Sequence, residues 1–552
     1  MTASDARGSS SLDRRRFLAG AAGVAGLAMS GATLTGCGGG GGGVAAPNRK
    51  SVPLPTYVPY DGVKPDLPAA PHGVPAGHYH YPADPSPFVK HQLGSGSPIS
   101  WLVQGTGSTP KNKNKWLQAV MKAVNSDFQI SLIPSADYLK KFQVAIAGGD
   151  LQDVVQLQSV ANLPQVLEKE FTDLSDYLSG DNIKNYPGLA SIATAAWQIP
   201  MLNGRLWGVP QPRAAAGNIV STRGDTLKKF GIGDASPVIK SGTEFLDLCK
   251  NLTDKKRGKY AFGTQPNTFI LSALLEMAGA PNNWQVQGGK FVSVNETDEM
   301  KLALEQVAKM WKAGYIHPDS FSTPGENITW WSGGITSLYV QSFAGWSGYS
   351  KTNPEWEQGV LRLPKWQGGG PATKLLSIAG YGAYAGLKKA KPARIKEILR
   401  ILDYIASPFG TKEYLDMNFG VKGIDYTLKG TDPVTTQQGT ADNLQGLFYC
   451  GSQLYQDLYV ANMPDVVKAE HDYLTSVLPT GITDPSTGLY SETASTKGAT
   501  ANMTLNNAQG DIIQGRRPLS DWEGLVKTWR QQAGDAMRGE YEKAYASLHS
   551  GH

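Results

Sequence analysis

The chain has 552 residues, 40% of them hydrophobic and 18% charged, with a formal net charge of +5. That length exceeds what one hydrophobic core usually supports, so two lobes or domains are expected. The small charge, spread without any Lys/Arg-rich block, argues against a nucleic-acid partner.

At the N-terminus, Ser11-Leu12-Asp13-Arg14-Arg15-Arg16-Phe17-Leu18 opens a Gly/Ala-rich, weakly apolar stretch that ends at Leu34-Thr35-Gly36-Cys37 and runs into the glycines Gly38 to Gly43. The first block resembles a twin-arginine export signal, with Arg14 and Arg15 as the pair. The second resembles the bacterial lipobox, in which the cysteine thiol is alkylated by a diacylglyceryl group and becomes the lipidated N-terminus. An uncleaved membrane helix is the alternative, but a run of about 18 residues is near the lower limit for spanning, and its glycines make a poor helix. Residues 1–36 are therefore expected to be a cleaved signal peptide, and Cys37 the anchor of an extracytoplasmic body on the cell membrane. Cleavage removes four arginines and two aspartates and lowers the net charge from +5 to +3. The remaining cysteines, Cys249 and Cys450, could pair in an oxidising compartment; a buried free thiol is the other reading of Cys249, which lies in an amphipathic helical pattern at 244–249.

Residues 37–98 carry about a dozen prolines and no helical or strand period, which reads as a semi-extended tether. His78 and His80 form an H-x-H without further ligands at metal-site spacing, so a solvated loop is expected there and no metal. The folded body begins with the apolar run Ile99-Ser100-Trp101-Leu102-Val103. A helix at 116–126, a strand at 128–133, a helix at 137–147 and a strand at 153–157 complete a β-α-β-α-β series, which predicts a mostly parallel sheet covered by helices. Ligands on such sheets gather at the carboxyl ends of the strands, where Gln104 and Gln158 stand. Downstream, 297–314 and 392–405 read as helices with one apolar stripe each; Asp298 and Glu299 suit the first N-terminus, Gly314 the stop, and Pro392 the first turn of the second.

Several phrases in this order resemble the family-1 extracellular solute-binding proteins of ABC importers, especially their long lipoprotein branch. Tyr138-Leu139-Lys140-Lys141-Phe142 with Ala147-Gly148-Gly149-Asp150-Leu151-Gln152-Asp153-Val154-Val155 is similar to the family's "Y-x-x-K…A-x-G-D-x-P-D-V-V", with Gln152 in place of the proline. Asn203-Gly204-Arg205-Leu206-Trp207-Gly208-Val209-Pro210, Ala278-Gly279-Ala280-Pro281-Asn282-Asn283-Trp284, Met310-Trp311-Lys312-Ala313-Gly314-Tyr315 and Gly420-Val421-Lys422-Gly423-Ile424-Asp425-Tyr426 continue the likeness. The resemblance implies an α/β, two-lobed periplasmic-binding-protein fold with discontinuous lobes and a multi-strand hinge. Its implied division is signal 1–36, tether 37–98, first lobe 99–212, second lobe 213–365, a return to the first lobe 366–412, and a C-terminal segment 413–552 mainly in the second lobe and hinge. It also implies a monomeric receptor that captures a carbohydrate, delivers it to ABC permease subunits, and uses no cofactor. Relatives with an EF-hand-like calcium loop place it where this chain reads Asn251-Leu252-Thr253-Asp254-Lys255-Lys256-Arg257-Gly258, and its basic residues predict no calcium.

Sugar rings offer C–H faces to aromatic planes and hydroxyls to amides, and the chain is rich in tryptophan, with 13. Trp346 and Phe343 follow an apolar strand in a segment that resembles the family's ligand turn, so Trp346 is expected to be the stacking platform. Gln265 and Asn267 match a ligand loop; Trp330 and Trp331 precede the strand, and Tyr381 lies between Gly380 and Gly382. Core packing is the alternative for each aromatic. A secreted glycoside hydrolase would also be aromatic-rich, but it needs a carboxylate pair flanking the scissile bond, and no Asp or Glu here stands in a recognisable catalytic phrase. Gly94-Ser95-Gly96 is only a fragment of a nucleophile elbow, without a following helix. A receptor for a peptide or other non-sugar solute is the further alternative.

Overall fold

The computed structural model describes residues 51–90, 93–105, 113–377, 384–444 and 456–549, together with 447, 450, 451 and 453. The chain divides after Pro47, and all of the described residues belong to the unit that follows. Cys37, Arg14, Arg15 and Tyr381 lie outside the described residues.

Nine strands build the two principal sheets. In chain order they are β1 (Ile99–Gly105), β2 (Phe128–Pro134), β3 (Val154–Leu157), β4 (Val209–Pro210), β5 (Asn218–Arg223), β6 (Tyr260–Phe262), β7 (Thr336–Ser342), β8 (Gln358–Leu361) and β9 (Tyr384–Leu387). The first sheet orders β2-β1-β3-β9-β4, with β1 parallel to β2 and β3 and with β9 antiparallel to β3 and β4. The second orders β8-β5-β7-β6, with only β6 and β7 parallel. The chain thus leaves the first sheet between 211 and 217 and rejoins it at β9.

Strand periodicity explains why both sheets are buried. Successive side chains point to opposite faces, and β1 sends Ile99, Trp101 and Val103 into one apolar cluster and Leu102 into another. The second sheet does the same, with Val220 and Leu361 on one face and Ile219 and Val360 on the other. Each sheet needs helices on two sides, which gives two α/β lobes.

Helices α1 (Lys115–Val124), α2 (Ser135–Gly148), α3 (Leu271–Ala278), α4 (Asp298–Ala313), α5 (Gly345–Thr352), α6 (Pro392–Ile405), α7 (Pro464–Val477) and α8 (Ala499–Ile513) supply much of that cover. Their ends follow local chemistry. Asn114 caps α1 by accepting from Leu117 N, Thr297 caps α4 by accepting from Met300 N, and Gly314 stops α4 with φ 73.

The structure corrects the tether. Residues 51–90 and 93–98 lie on the body: Val52 N donates to Gly204 O at 3.0 Å and Val58 N to Ala190 O at 2.8 Å, while Ala76–His78 pairs in parallel with Asp457–Tyr459. Proline removes its own N–H donor, but the residues between the prolines still supply donors, and Val74 and Tyr81 supply apolar burial. The H-x-H is solvated only in part: His78 ends a strand, buried, and faces Asp457 at 3.4 Å, while His80 is exposed and meets Asp432 at 3.0 Å. The C-terminal segment is shared between the lobes. Met417, Leu444, Leu447 and Cys450 complete the first lobe's core, whereas α7 packs beside the second sheet and α8 joins the second lobe's core. Cys249 and Cys450 are free, buried and in different cores, and burial pushes both thiols up, Cys450 to about 12.

Candidate ligand-binding site

Three stretches of chain run side by side where the sheets meet: 214–218 leaving the first lobe, 374–377 returning to it, and 481–482. Lys374–Leu375 pairs in parallel with Gly481–Ile482, Ser377 N donates to Ala215 O at 3.0 Å, and Leu376 N donates to Ile482 O at 3.0 Å. Gly217 has φ +59, and a Cβ there would meet Leu375 O at 3.2 Å, so glycine lets the outgoing and returning strands approach. Asn282 ties the returning strands, its Nδ2 donating to Leu376 O at 2.9 Å and Ile482 O at 3.1 Å.

Beneath this junction sits a buried ion pair. Lys374 Nζ binds Glu276 Oε1 of α3 at 2.8 Å and also donates to Asn218 O. Burial disfavours the ammonium, yet Glu276 and Tyr473 more than offset it and hold Lys374 above its ordinary range. Burial pushes the Glu276 carboxyl up, with Lys374 pulling it back. A pair this deep contributes geometry more than net stability.

A groove opens along this junction in two connected parts that share Ser272, Leu275, Asn283, Val294 and Asp484. The inner part, about 430 Å³, reaches Asn218, Ser342 and Ser377 on the crossing strands. The outer part, about 550 Å³, runs between α3 and α8 past Asn267, Asn502 and Gln509. Together they have the size of an ordinary small-molecule site with polar groups set among apolar ones. Asn267 Nδ2 donates to Asn506 O across the outer part at 2.9 Å, while its Oδ1 is buried without a protein partner. A larger concavity, about 660 Å³, lies among Lys301, Glu523, Arg530 and Asp535, whose charges are largely paired with one another or with Glu296.

The residues singled out in the sequence divide sharply. Asn267 lines the groove; Gln265 stands at the start of the turn before α3 and does not. Gln104 and Gln158 stand together at the carboxyl ends of β1 and β3, where Gln158 Nε2 donates to Gln104 Oε1 at 3.0 Å. They belong to the first lobe's facing edge, where Ser159 Oγ meets Ser495 Oγ at 3.0 Å.

The aromatic platform is overturned. Trp346 is 1% exposed and Phe343 2%. Both are locked edge-on and face-on against Tyr473 of α7, with ring centroids 6.0 and 6.2 Å away. Strand alternation is the reason: Ser342, the exposed end of β7, faces the groove, so Phe343 turns to the opposite side and α5 carries Trp346 after it. Trp331 is fully buried against Tyr339 and Trp356, and Trp330 stacks on His317 at 3.9 Å. Neither lines the groove.

The sequence reading missed Asn218, Ser272, Asn283 and Asp484. Asn282-Asn283 stood within a quoted phrase, and the left-handed φ of 56 at Asn283 fits an asparagine in a turn. Asp484 carried only a turn signal, in Asp484-Pro485-Ser486, and nothing that pointed to a ligand.

Residues 115–417 match the model of a family described as bacterial extracellular solute-binding protein. Over 463 residues the chain is 22% identical to the polygalacturonan/rhamnogalacturonan-binding protein YtcQ of Bacillus subtilis (strain 168), which covers 81% of this chain and 91% of that protein. The fold of this chain is similar to that of an HMO-binding, ABC-transporter-associated solute-binding protein from Bifidobacterium longum infantis, with TM-score 0.60, 14% identity, and coverage of 82% of this chain and 99% of that one. The N-glycan transport solute-binding protein of Streptococcus pneumoniae is comparable, at TM-score 0.58, 16% identity, and coverage of 82% and 99%. These structural likenesses show a two-lobed solute-binding fold.

Proposed function

Because the chain belongs to the bacterial extracellular solute-binding protein family, we propose that it is a receptor that grips an oligosaccharide in the groove at the lobe junction and hands it to the permease of an ABC importer. The observation that carries this reading is the groove's chemistry. Amides and hydroxyls of Asn218, Ser272, Asn283 and Ser342 converge on it, and Asn267 Oδ1 has no protein partner. Side chains that both donate and accept suit sugar hydroxyls, which also do both. The names of the relatives point the same way. Lobes joined by several strands can rotate about the junction while each core stays packed.

Cys37 is the lipid anchor in this reading, with Arg14 and Arg15 directing export of the folded precursor, and the protein turns nothing over. Native mass spectrometry of the purified body, followed by calorimetry with any co-purified sugar, tests the receptor. Stoichiometric binding without release of products supports it, and hydrolysis of the sugar during incubation refutes it. Cys37→Ala should release the protein from the membrane fraction; retention of that variant refutes the anchor.

A further inference from the structure

Resting on the carbohydrate reading above, we propose that this groove is built for neutral oligosaccharides and selects against uronic-acid chains, with Asp484 as the discriminating group. The charge of the lining carries the argument. Among the described residues that line either part of the groove none is lysine or arginine, and the charged ones are Glu276 and Asp484.

Their circumstances differ. Glu276 is neutralised from below by Lys374, whose own charge is consumed by that pair and by carbonyl contact. Asp484 has no cation among the described residues. Its Oδ1 accepts from Ser486 N at 2.9 Å and Ser486 Oγ at 2.7 Å, and its Oδ2 accepts from Asn283 Nδ2 at 3.0 Å. All three donors are neutral. Burial pushes this carboxyl up while the Ser486 and Asn283 donors pull it back toward the anion, so the carboxylate is held by hydrogen bonds and not by a cation.

A second carboxylate brought into the same partly desolvated groove meets a like charge with no counter-ion to absorb it. Recognition of a carboxylate ordinarily uses arginine, whose paired N–H groups match its two oxygens. A hydroxyl at the same place can instead donate to Asp484 while accepting from a neighbouring amide. This sets the chain apart from a relative whose name refers to polygalacturonan.

The test uses trigalacturonate and its carboxyl-reduced form, which share linkage and shape and differ in charge, together with a panel of neutral trimers of glucose, mannose and xylose and an acidic trimannuronate. Thermal shift and calorimetry on the purified protein read the affinities. At least one neutral sugar should bind, with uronate trimers about tenfold or more weaker. Asp484→Asn should narrow that ratio by strengthening the uronate arm. Uronates that bind as tightly as neutral sugars would overturn the charge preference while leaving the carbohydrate reading intact. If no sugar of either class binds, both the preference and the reading beneath it fall.

Discussion

Strand β7 ends with Ser342 facing the groove, and one residue later Phe343 is sunk with Trp346 and Tyr473 on the other side. The two sides use side chains in opposite ways. Behind the strand, large rings fill space completely and leave Trp346 Nε1 without a partner, a cost borne by burial of the rest of the ring. In front of it, small amides and hydroxyls leave space and keep unspent hydrogen-bonding capacity. Around β7, then, the aromatic side is solid and the side of small polar residues is open, although the outer part of the groove is also lined by Trp284, Trp529 and Tyr541.

The sharpest way to break that contrast is Trp346→Ala. Removing a fully buried indole should cost about 3–5 kcal/mol of stability through lost transfer energy and a residual cavity. Affinity per folded molecule should stay unchanged. A thermal melt with calorimetry below the transition checks both; lost affinity with an unchanged melt would put Trp346 back in the site.

Next in size is the ion pair under the groove. Lys374→Met leaves Glu276 buried without its partner and should cost on the order of 3 kcal/mol. Pairing it with Glu276→Gln should recover most of that loss. Denaturant unfolding of the single and double variants measures the recovery, and a double variant no better than the single would mean that Lys374 acts through Asn218 and Tyr473 alone.

Much of the fold was legible because it is periodic. The apolar run at 99–103 announced strand β1, which is buried along nearly its whole length, and Pro392 with its apolar stripe marked α6. The groove was not legible, because its walls come from residues 217, 272, 283, 342, 376 and 484, which no local pattern joins. Periodicity places Phe343 opposite Ser342, yet it cannot say which of two faces is packed and which is open. The packing of residues 51–90 was hidden for a related reason. Proline erases local period, and its partner strand at 457–459 lies far along the chain.

The two sides of β7 also differ in how they answer pH. Glu470 of α7 is buried in the aromatic side, where Ser347 N of α5 donates to it, and burial pushes its carboxyl up to about 8. A raised folded-state value means that the neutral form is favoured in the folded protein. Its stabilising contribution is thus full below the ordinary glutamate range and is lost as pH rises through about 8. Stability should fall from about pH 5 to about pH 8 and level off above that, at a slope of up to about 1.4 kcal/mol per pH unit from this group. Glu470→Gln should flatten the profile, and an unchanged slope would assign the dependence to another carboxyl such as Asp403, also buried and pushed up to about 7.

The smallest effect on folding should come from the groove itself. Asn267 sits at the rim of the outer part, in the turn that leads into α3, and its side chain makes one hydrogen bond among the described residues, to Asn506 O. Asn267→Ala removes one exposed hydrogen bond, so stability should move by no more than about 1 kcal/mol. Its Oδ1, however, is the buried acceptor with no protein partner, and a ligand hydroxyl that fills that role would be lost with it. Affinity should then fall by roughly threefold to tenfold, the worth of one ordinary hydrogen bond. Asn267→Asp keeps an acceptor at that position but adds a charge, so neutral sugars should recover part of the loss while uronates weaken further. A variant that binds like the parent would leave Asn267 as a tie between the α3 turn and α8, and would move the polar rim inward to Ser272 and Asn283.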